Sequence, residues 1–307
     1  MHVQYDIGKV FEDSFALIRA HPWWVLAWGA LLVVVPVIPV IPMLSWMFAN
    51  LETIADDPEA IEQMMGLNIL ANLSSLLQFV LLIPVMAAVA RIVLRKTPAK
   101  TFIGLRASMD ELWVFVVYMA MVVGLFIVAM IVFLIALFVG LLVGYASGTE
   151  AAGVGVGIFV GFLALLPLIW VLVRLSLLIP ASVDLNTFAL VPAWKASKGH
   201  FWPLLGTAFL AVLVALAVSI IWMILLLVVV VCLALIAGAA GMISMDGDPS
   251  LWNWMPLALI AAVLLAVPTF FMQGINTVLS VAPYASAWRQ LKPSVEQQAA
   301  PAVTPEL

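Results

Sequence analysis

Long stretches of uninterrupted apolar residues constrain this chain more than any other feature of its sequence. A helix needs about 20 apolar residues to cross the hydrocarbon of a bilayer. Six stretches exceed that length, at about 24–49, 68–94, 112–146, 153–183, 203–244 and 253–283. Runs such as 112–144 lack the two-residue alternation of a membrane-spanning β-strand. The pattern therefore predicts an all-α polytopic membrane protein with six transmembrane helices.

The composition of the chain excludes a water-soluble protein. Of its 307 residues, 66% are apolar and 9% are charged, whereas soluble domains are about half apolar and a quarter charged. A single cysteine, Cys232, rules out an internal disulfide and a multi-cysteine metal site. Three histidines and a net charge of −4 offer neither a metal-ligand cluster nor a basic stripe for nucleic acid. We therefore expect no cofactor, no metal and no nucleic-acid partner.

The charged residues are divided unevenly between the two sides of a six-span arrangement. All 12 lysines and arginines fall on one side. The loops on the other side carry eight acids and no base, the acids being Glu52, Asp56, Asp57, Glu59, Glu62, Glu150, Asp246 and Asp248. By the positive-inside rule, the side with the bases is cytoplasmic. We therefore predict a multi-pass protein with both termini in the cytoplasm.

Two of the apolar runs are too long for a simple crossing. As straight helices, 112–146 and 203–244 would extend roughly 50 to 60 Å at ~1.5 Å per residue. Each could instead form a tight hairpin, which would give eight spans and keep every charge on its side. Because neither run has Pro, Asn, Asp or a charge in its middle, we expect long tilted helices.

Proline and glycine predict two local features inside the spans. Pro36, Pro39 and Pro42 should kink or unwind the outer half of the first span. Small residues that let helices approach each other gather at the outer ends of spans three and four, namely Gly140, Gly144, Gly148, Gly153, Gly155, Gly157 and Gly161. This glycine series is not a dinucleotide-binding loop, because such a loop follows a strand.

An amphipathic pattern recurs before alternate spans and indicates a threefold internal repeat. Ahead of span one, apolar residues recur at helical spacing from Ile7 to Ile18, with charged residues on the other face. Related segments at 102–112 and 190–201 precede spans three and five. Tryptophans spaced 90 and 89 residues apart mark the junctions, at Trp23, Trp113 and Trp202.

We interpret the pattern as three units, each an interfacial amphipathic helix followed by a transmembrane hairpin. The units are expected at about 5–98, 99–184 and 185–290. Together they would form a single membrane domain, 1–292, followed by a disordered cytoplasmic tail, 293–307, which lacks apolar periodicity. The interfacial helices should lie in the cytoplasmic headgroup layer, with their apolar faces on lipid or on the bundle.

Two segments of the chain resemble a known family. One is Asp6-Ile7-Gly8-Lys9, and the other is 192–206, which reads Pro-Ala-Trp-Lys-Ala-Ser-Lys-Gly-His-Phe-Trp-Pro-Leu-Leu-Gly. They are similar to the membrane domain of glycerophosphoryl diester phosphodiesterases and to its stand-alone bacterial relatives. The resemblance covers about residues 5–290 and implies a six-helix module of a bacterial inner membrane. In two-part members a soluble phosphodiesterase barrel follows this domain, and no catalytic residue is carried over to this chain.

Four polar residues are candidates to contact an anionic lipid or an anionic substrate, namely Arg91, Arg174, Gln273 and Asn276. The arginines lie about two turns before the cytoplasmic ends of spans two and four, a depth that suits a headgroup phosphate. The alternative for the arginines is snorkelling of the side chain to the interface. The alternative for the two amides is an interhelical hydrogen bond.

Residues at the junctions between interfacial segments and spans are candidate anchors at the membrane surface. They are His21, Trp23, Trp113, His200 and Trp202. Tryptophan is enriched at headgroup level because its ring is apolar and its N–H is polar. The two histidines, at matching repeat positions, could instead sense pH or bind a phosphate.

These features together predict a non-enzymatic integral inner-membrane protein that associates with lipids or assists a membrane-protein partner. The sequence has no metalloprotease, serine-hydrolase or paired intramembrane aspartate motif. No acidic residue lies in the core of a span, which disfavours an ion-coupled transporter. One alternative is a permease for a small amphiphile or lipid, with a path lined by the four candidate polar residues. Another is a membrane subunit for a separately encoded phosphodiesterase. Membrane lipids, including anionic phospholipid, are the expected partners.

Overall fold

All regular structure in the described part of the chain is helical. The computed structural model describes residues 5–49, 58–95, 102–105, 108–239 and 251–299. Within those ranges ten α-helices follow in chain order: α1 (Ile7–Ala20), α2 (Pro22–Val37), α3 (Ile41–Ala49), α4 (Pro58–Arg95), α5 (Met109–Ser147), α6 (Glu150–Leu175), α7 (Leu178–Leu185), α8 (Leu190–Ser197), α9 (Phe201–Ala239) and α10 (Leu251–Ala299). The prediction of an all-α protein is confirmed.

Six helical segments of the described chain are long and apolar enough to cross a membrane, as predicted. They are Pro22–Met43, Asn68–Leu94, Met109–Ser147, Glu150–Leu185, Phe201–Ile236 and Val263–Lys292. α5 and α9 each continue for 39 residues without a turn. The expected long helices are therefore present in these two runs, and neither forms a hairpin. Several of the acids assigned to the outer side lie outside the described residues.

The first span is interrupted at its prolines, as the sequence predicts. α2 ends at Val37, a single 3₁₀ turn covers Ile38–Val40, and α3 resumes the helix. Proline has no N–H to donate and its ring crowds the preceding turn, so the regular hydrogen-bond ladder stops here. The Ser74 hydroxyl of α4 donates to the carbonyl oxygen of Pro36. The neighbouring helix thus supplies a partner that the interrupted span lacks.

The packed core lies at one end of the bundle, which we call the charged end. Here α1, the carboxyl ends of α4 and α10, the start of α5, and the short helices α7 and α8 meet. Trp28 and Trp288 are the largest fully buried side chains. In contrast, no residue in the most apolar 18-residue stretch of α5 or of α9 is buried. These stretches of α5 and α9 therefore lie outside the core.

Glycines allow two pairs of helices to touch through their backbones. A Cβ atom on Gly29 of α2 would overlap the Phe270 carbonyl of α10, and one on Gly274 would overlap the Val25 carbonyl of α2. In the α5–α6 hairpin, a Cβ on Gly153 would lie 2.5 Å from the Gly140 carbonyl oxygen. The second contact confirms that part of the glycine series mediates close approach, whereas the first was not predicted.

The first amphipathic segment forms α1, which packs on the protein. Its apolar face is buried against α10 and α9, with Val10, Phe11 and Leu17 nearly inaccessible. Just before the helix, the Tyr5 hydroxyl lies 2.7 Å from the Thr207 hydroxyl of α9. Burial raises the pKa of Tyr5 to about 12. Of the two surfaces expected to receive this face, α1 uses the bundle.

The second expected interfacial helix does not form as a separate element. Phe102–Gly104 is a 3₁₀ turn, Arg106 lies outside the described residues, and Met109 already belongs to α5. Ile103 and Gly104 both have left-handed backbone angles, with φ of 51° and 71°, and these angles stop a helix from propagating. Only the first and third segments therefore give separate helices, α1 and α8. The threefold repeat stays a prediction.

The carboxyl end of the chain is helical further than expected. α10 continues to Ala299, so the first residues of the expected disordered tail extend the last helix. The rest of the tail, 300–307, lies outside the described residues.

Candidate functional site at the charged end

Arg91 is the centre of a buried ion-pair cluster. Its side chain is 4% exposed. Nε donates to the Asp110 carboxylate at 2.9 Å, Nη2 donates to Glu111, and Nη1 donates to the Gly104 carbonyl at 3.3 Å. Asp110 and Glu111 occupy the first turn of α5, where the helix dipole favours negative charge. The guanidinium is thus surrounded by protein acceptors and does not face lipid.

The turn before α5 holds this cluster in place. The left-handed backbone at Ile103 and Gly104 presents two successive carbonyl oxygens to the core. One accepts from Arg91, and the other, of Ile103, accepts from the Trp28 indole N–H at 3.0 Å. Glu111 also accepts from the backbone N–H of Ser108 at 2.8 Å, which closes a capping box. The Glu111 carboxylate is therefore held by the cap of its own helix as well as by Arg91.

Arg174, near the carboxyl end of α6, has a different environment. Its Cζ atom lies 4.3 Å from the centroid of the Trp170 ring and 5.0 Å from that of the Trp194 ring. Trp170 is four residues earlier and so on the same face of α6, while Trp194 comes from α8. The two rings meet edge to face at 5.6 Å. Aromatic faces attract a cation without accepting its N–H groups as a carboxylate would.

The hydrogen-bonding capacity of Arg174 is left unused. Its Nε is buried and has no hydrogen-bond partner among the described residues. Two exposed lysines, Lys195 and Lys198, lie beside Trp194 in sequence and add positive charge. A guanidinium presents five N–H donors in a planar fork that matches the oxygens of a phosphate or carboxylate. This arrangement has the chemistry of an oxyanion-binding site.

The four candidate polar residues do not share one environment. Arg91 contacts the start of α5 and Arg174 contacts α8, as described above. Gln273 and Asn276 flank Gly274, whose backbone packs on Val25 of α2. The Asn276 side-chain oxygen is buried without a hydrogen-bond partner in the described structure. The structure therefore gives each candidate a different set of neighbours.

The candidate surface anchors differ in exposure. Trp23 and Trp202 are both 77% exposed, at matching positions near the starts of α2 and α9. Trp113, in the first turns of α5, is half-buried. His21 stacks on the Trp24 ring at 4.7 Å, whereas the buried Nδ1 of His200 has no partner among described residues. The two exposed indoles have the exposure that an interfacial anchor requires.

Sequence reasoning missed the acids that bind basic and indole groups at this end. Asp13 of α1 accepts from the Ser286 hydroxyl at 2.6 Å and from Arg289. Asp184 of α7 accepts from the Trp288 indole N–H at 3.0 Å and pairs with Lys292 at 2.9 Å. These partners are more than 100 residues apart along the chain. The sequence did contain one indication of these pairs, because Asp13 and Asp184 lie in the segments that carry the lysines and arginines.

No cluster of three or more His, Cys, Asp or Glu side chains that could hold a metal ion occurs in the described part of the chain. Comparison of the sequence and structure with protein-family models, curated proteins and solved structures gives no match.

Proposed function

We propose that this chain is a non-enzymatic, lipid-associated integral protein of a bacterial inner membrane, with both termini in the cytoplasm. One observation carries the proposal. Beyond the packed core, long stretches of α5 and α9 are exposed, and nearly every exposed side chain there is a large apolar one. Such a surface is stable only against acyl chains or another membrane-embedded protein.

A groove in the α5–α6 hairpin adds to this apolar surface. It encloses about 1160 Å³ and runs along the outer halves of both helices. Its lining includes the apolar side chains Phe133 and Ile158 and the glycines Gly140 and Gly157, and among the described residues its one charged lining residue is Glu150. The absence of a second charged group from the lining suits acyl chains better than a polar solute.

The alternative of a permease receives less support. Its proposed path included Arg91, which is buried and paired with Asp110 and Glu111. A path through that cluster would have to separate these charges inside the core, and breaking a buried pair costs about 3–5 kcal/mol. No observation on the described residues favours a phosphodiesterase subunit, so that role rests on the family resemblance alone.

The proposal is tested by removing and restoring lipid. The protein, extracted in mild detergent, should carry bound phospholipid in native mass spectrometry. Delipidation should lower its Tm, and phospholipid added back should restore it, because a ligand that binds only the folded state stabilises that state. The proposal would be contradicted if delipidation and added phospholipid left the Tm unchanged and the mass spectrum showed no bound lipid. Stoichiometric co-purification of another membrane protein in place of lipid would assign the surface to a partner.

A further inference from the structure

We infer that Arg174, held between Trp170 and Trp194, binds the phosphate of an anionic lipid headgroup. This inference rests on the proposed lipid association and gives it a location and a ligand class. Of the four candidate polar residues, only Arg174 is assigned to the lipid phosphate. Arg91 occupies the same predicted depth but is already paired with two acids.

Charge balance at the charged end leaves Arg174 without an acidic partner. Among the described residues Arg174 forms no ion pair, whereas four acids at this end bind other groups: Asp110 and Glu111 bind Arg91, Asp13 binds Arg289, and Asp184 binds Lys292. The indole rings beside Arg174 contribute no formal charge. The guanidinium can therefore take a counter-ion from outside the chain.

The Arg174 guanidinium also has a hydrogen-bond donor without a partner. A buried polar atom without a partner is destabilising, because it has lost its water and gained nothing in return. The Nε of Arg174 is such an atom within the described structure. A shift of the side chain that uncovers Nε would let an oxyanion accept from it and from a terminal nitrogen, in the bidentate geometry that arginine favours.

The surface of α6 next to Arg174 favours a lipid over a free anion. Residues three or four apart share a face of a helix, so Pro167, Leu163 and Phe159 continue along α6 from Trp170. All three are exposed, and Phe159 is 60% exposed. A strip of exposed apolar side chains on α6 therefore extends from the guanidinium toward the middle of the span. A ligand with a phosphate at one end and acyl chains at the other matches both parts.

The experiment is a lipid titration by native mass spectrometry, with phosphatidylglycerol added to the delipidated protein in detergent. Arg174→Gln should weaken binding about tenfold or more, the loss expected when charge-assisted hydrogen bonds to a phosphate are removed. Arg19→Gln is the matched control, because Arg19 is an exposed arginine at the same end, and it should weaken binding by at most about fivefold, the effect of any one basic residue at a lipid surface. Size-exclusion profiles and Tm values of both variants establish that they are folded.

Two further measurements separate the possible explanations. Trp194→Leu keeps the charge and removes one ring, so it should also weaken binding, whereas a plain basic anchor would be unaffected. Millimolar inorganic phosphate should leave the lipid bound, and displacement by phosphate would assign the site to a free anion. Unchanged binding in folded Arg174→Gln would overturn the inference and leave the proposed function standing. Absence of lipid binding in the parent protein would overturn both.

Discussion

Two arginines with the same position in the predicted repeats have opposite environments. Arg91 is followed in sequence by a turn and by two acids at the start of α5, and this arrangement brings both carboxylates to it. No such pair of acids follows Arg174. Its neighbours are instead two indole rings. The partners of each arginine are therefore decided by the neighbouring helix, which is α5 for Arg91 and α8 for Arg174.

Replacing Arg91 should destabilise the protein strongly. Arg91→Gln leaves Asp110 and Glu111 buried without this cation, and removal of one partner from a buried pair costs about 3–5 kcal/mol. Thermal unfolding in detergent, followed by tryptophan fluorescence, measures the loss. Lys9→Gln, at an exposed lysine in the first turn of α1, should change stability by about 0.5 kcal/mol or less.

A second variant tests the reason for the loss. Adding Glu111→Gln to Arg91→Gln removes one uncompensated charge, and Gln can still close the capping box. The double variant should therefore recover part of the lost stability. A Tm of Arg91→Gln equal to that of Lys9→Gln would show that the cluster contributes nothing measurable.

At the scale of the helix, the contact between α2 and α10 depends on two glycines. Alanine at Gly29 or Gly274 would place a methyl group inside the backbone of the other helix. We expect each substitution to cost about 1–3 kcal/mol or more, because the helices must separate to accommodate it. The same change at Gly124 or Gly155 meets no atom within 4 Å. There alanine should be neutral or stabilising by up to about 1 kcal/mol.

Thermal unfolding of the four alanine variants gives a direct comparison, since the chemical change is identical in each. Equal Tm values at all four positions would mean that α2 and α10 do not cross through these glycines.

The docking of α1 is a second property of an element. Phe11 is buried against the bundle, and truncation of a buried phenylalanine costs about 3–5 kcal/mol. Because α1 is held to α10 and α9 through this apolar face, we expect Phe11→Ala to release it locally before the whole protein unfolds. Trypsin should then cut after Lys9 or Arg19 faster than in the parent protein. Glu12→Ala, at the exposed neighbouring position, should leave the cutting rate unchanged. Equal rates in the two variants would contradict the docked position of α1.

At the scale of the whole molecule, the first and last helices of the described structure pack together at the charged end. α2 and α10, the first and last spans, pack closely together, and α1 binds the carboxyl half of α10 through Asp13. Consecutive spans are also neighbours in the hairpins α2–α4, α5–α6 and α9–α10. Contacts between hairpins concentrate at the charged end, so this end joins elements that are distant in sequence.

The orientation of the whole molecule can be tested with cysteine labelling. After Cys232 is replaced by alanine, single cysteines at Asp57, Thr149 and Asp248 should react with an impermeant maleimide in intact cells, because the positive-inside rule places these acidic loops outside. Thr149 is preferred to Gly148, whose φ of 66° would strain a side chain. Cysteines at Lys96 and Lys195 should stay unlabelled until the cells are opened. The reverse pattern would invert the topology.

The sequence by itself determined the features that depend on local composition. Apolar runs gave the helical class and six spans, and prolines gave the break after Val37. The amphipathic periodicity located α1 correctly. These predictions succeed because helix length, backbone interruption and facial polarity follow from neighbouring residues alone. The same reasoning failed at 102–104, where it predicted a helix. There the backbone is left-handed at Ile103 and Gly104, and its carbonyl oxygens accept hydrogen bonds from Trp28 and Arg91.

Only the tertiary structure decided which groups meet. Arg91 and Arg174 have the same charge and the same predicted depth, yet one is neutralised by α5 and the other is left with two indole rings. Likewise, Gly29 and Gly274 are required only because α2 and α10 cross in backbone contact at these positions. Pairings such as Asp13 with Arg289, 276 residues apart, depend on how the helices pack. Helix packing is set by side-chain fit across distant segments, which no local pattern in the chain encodes.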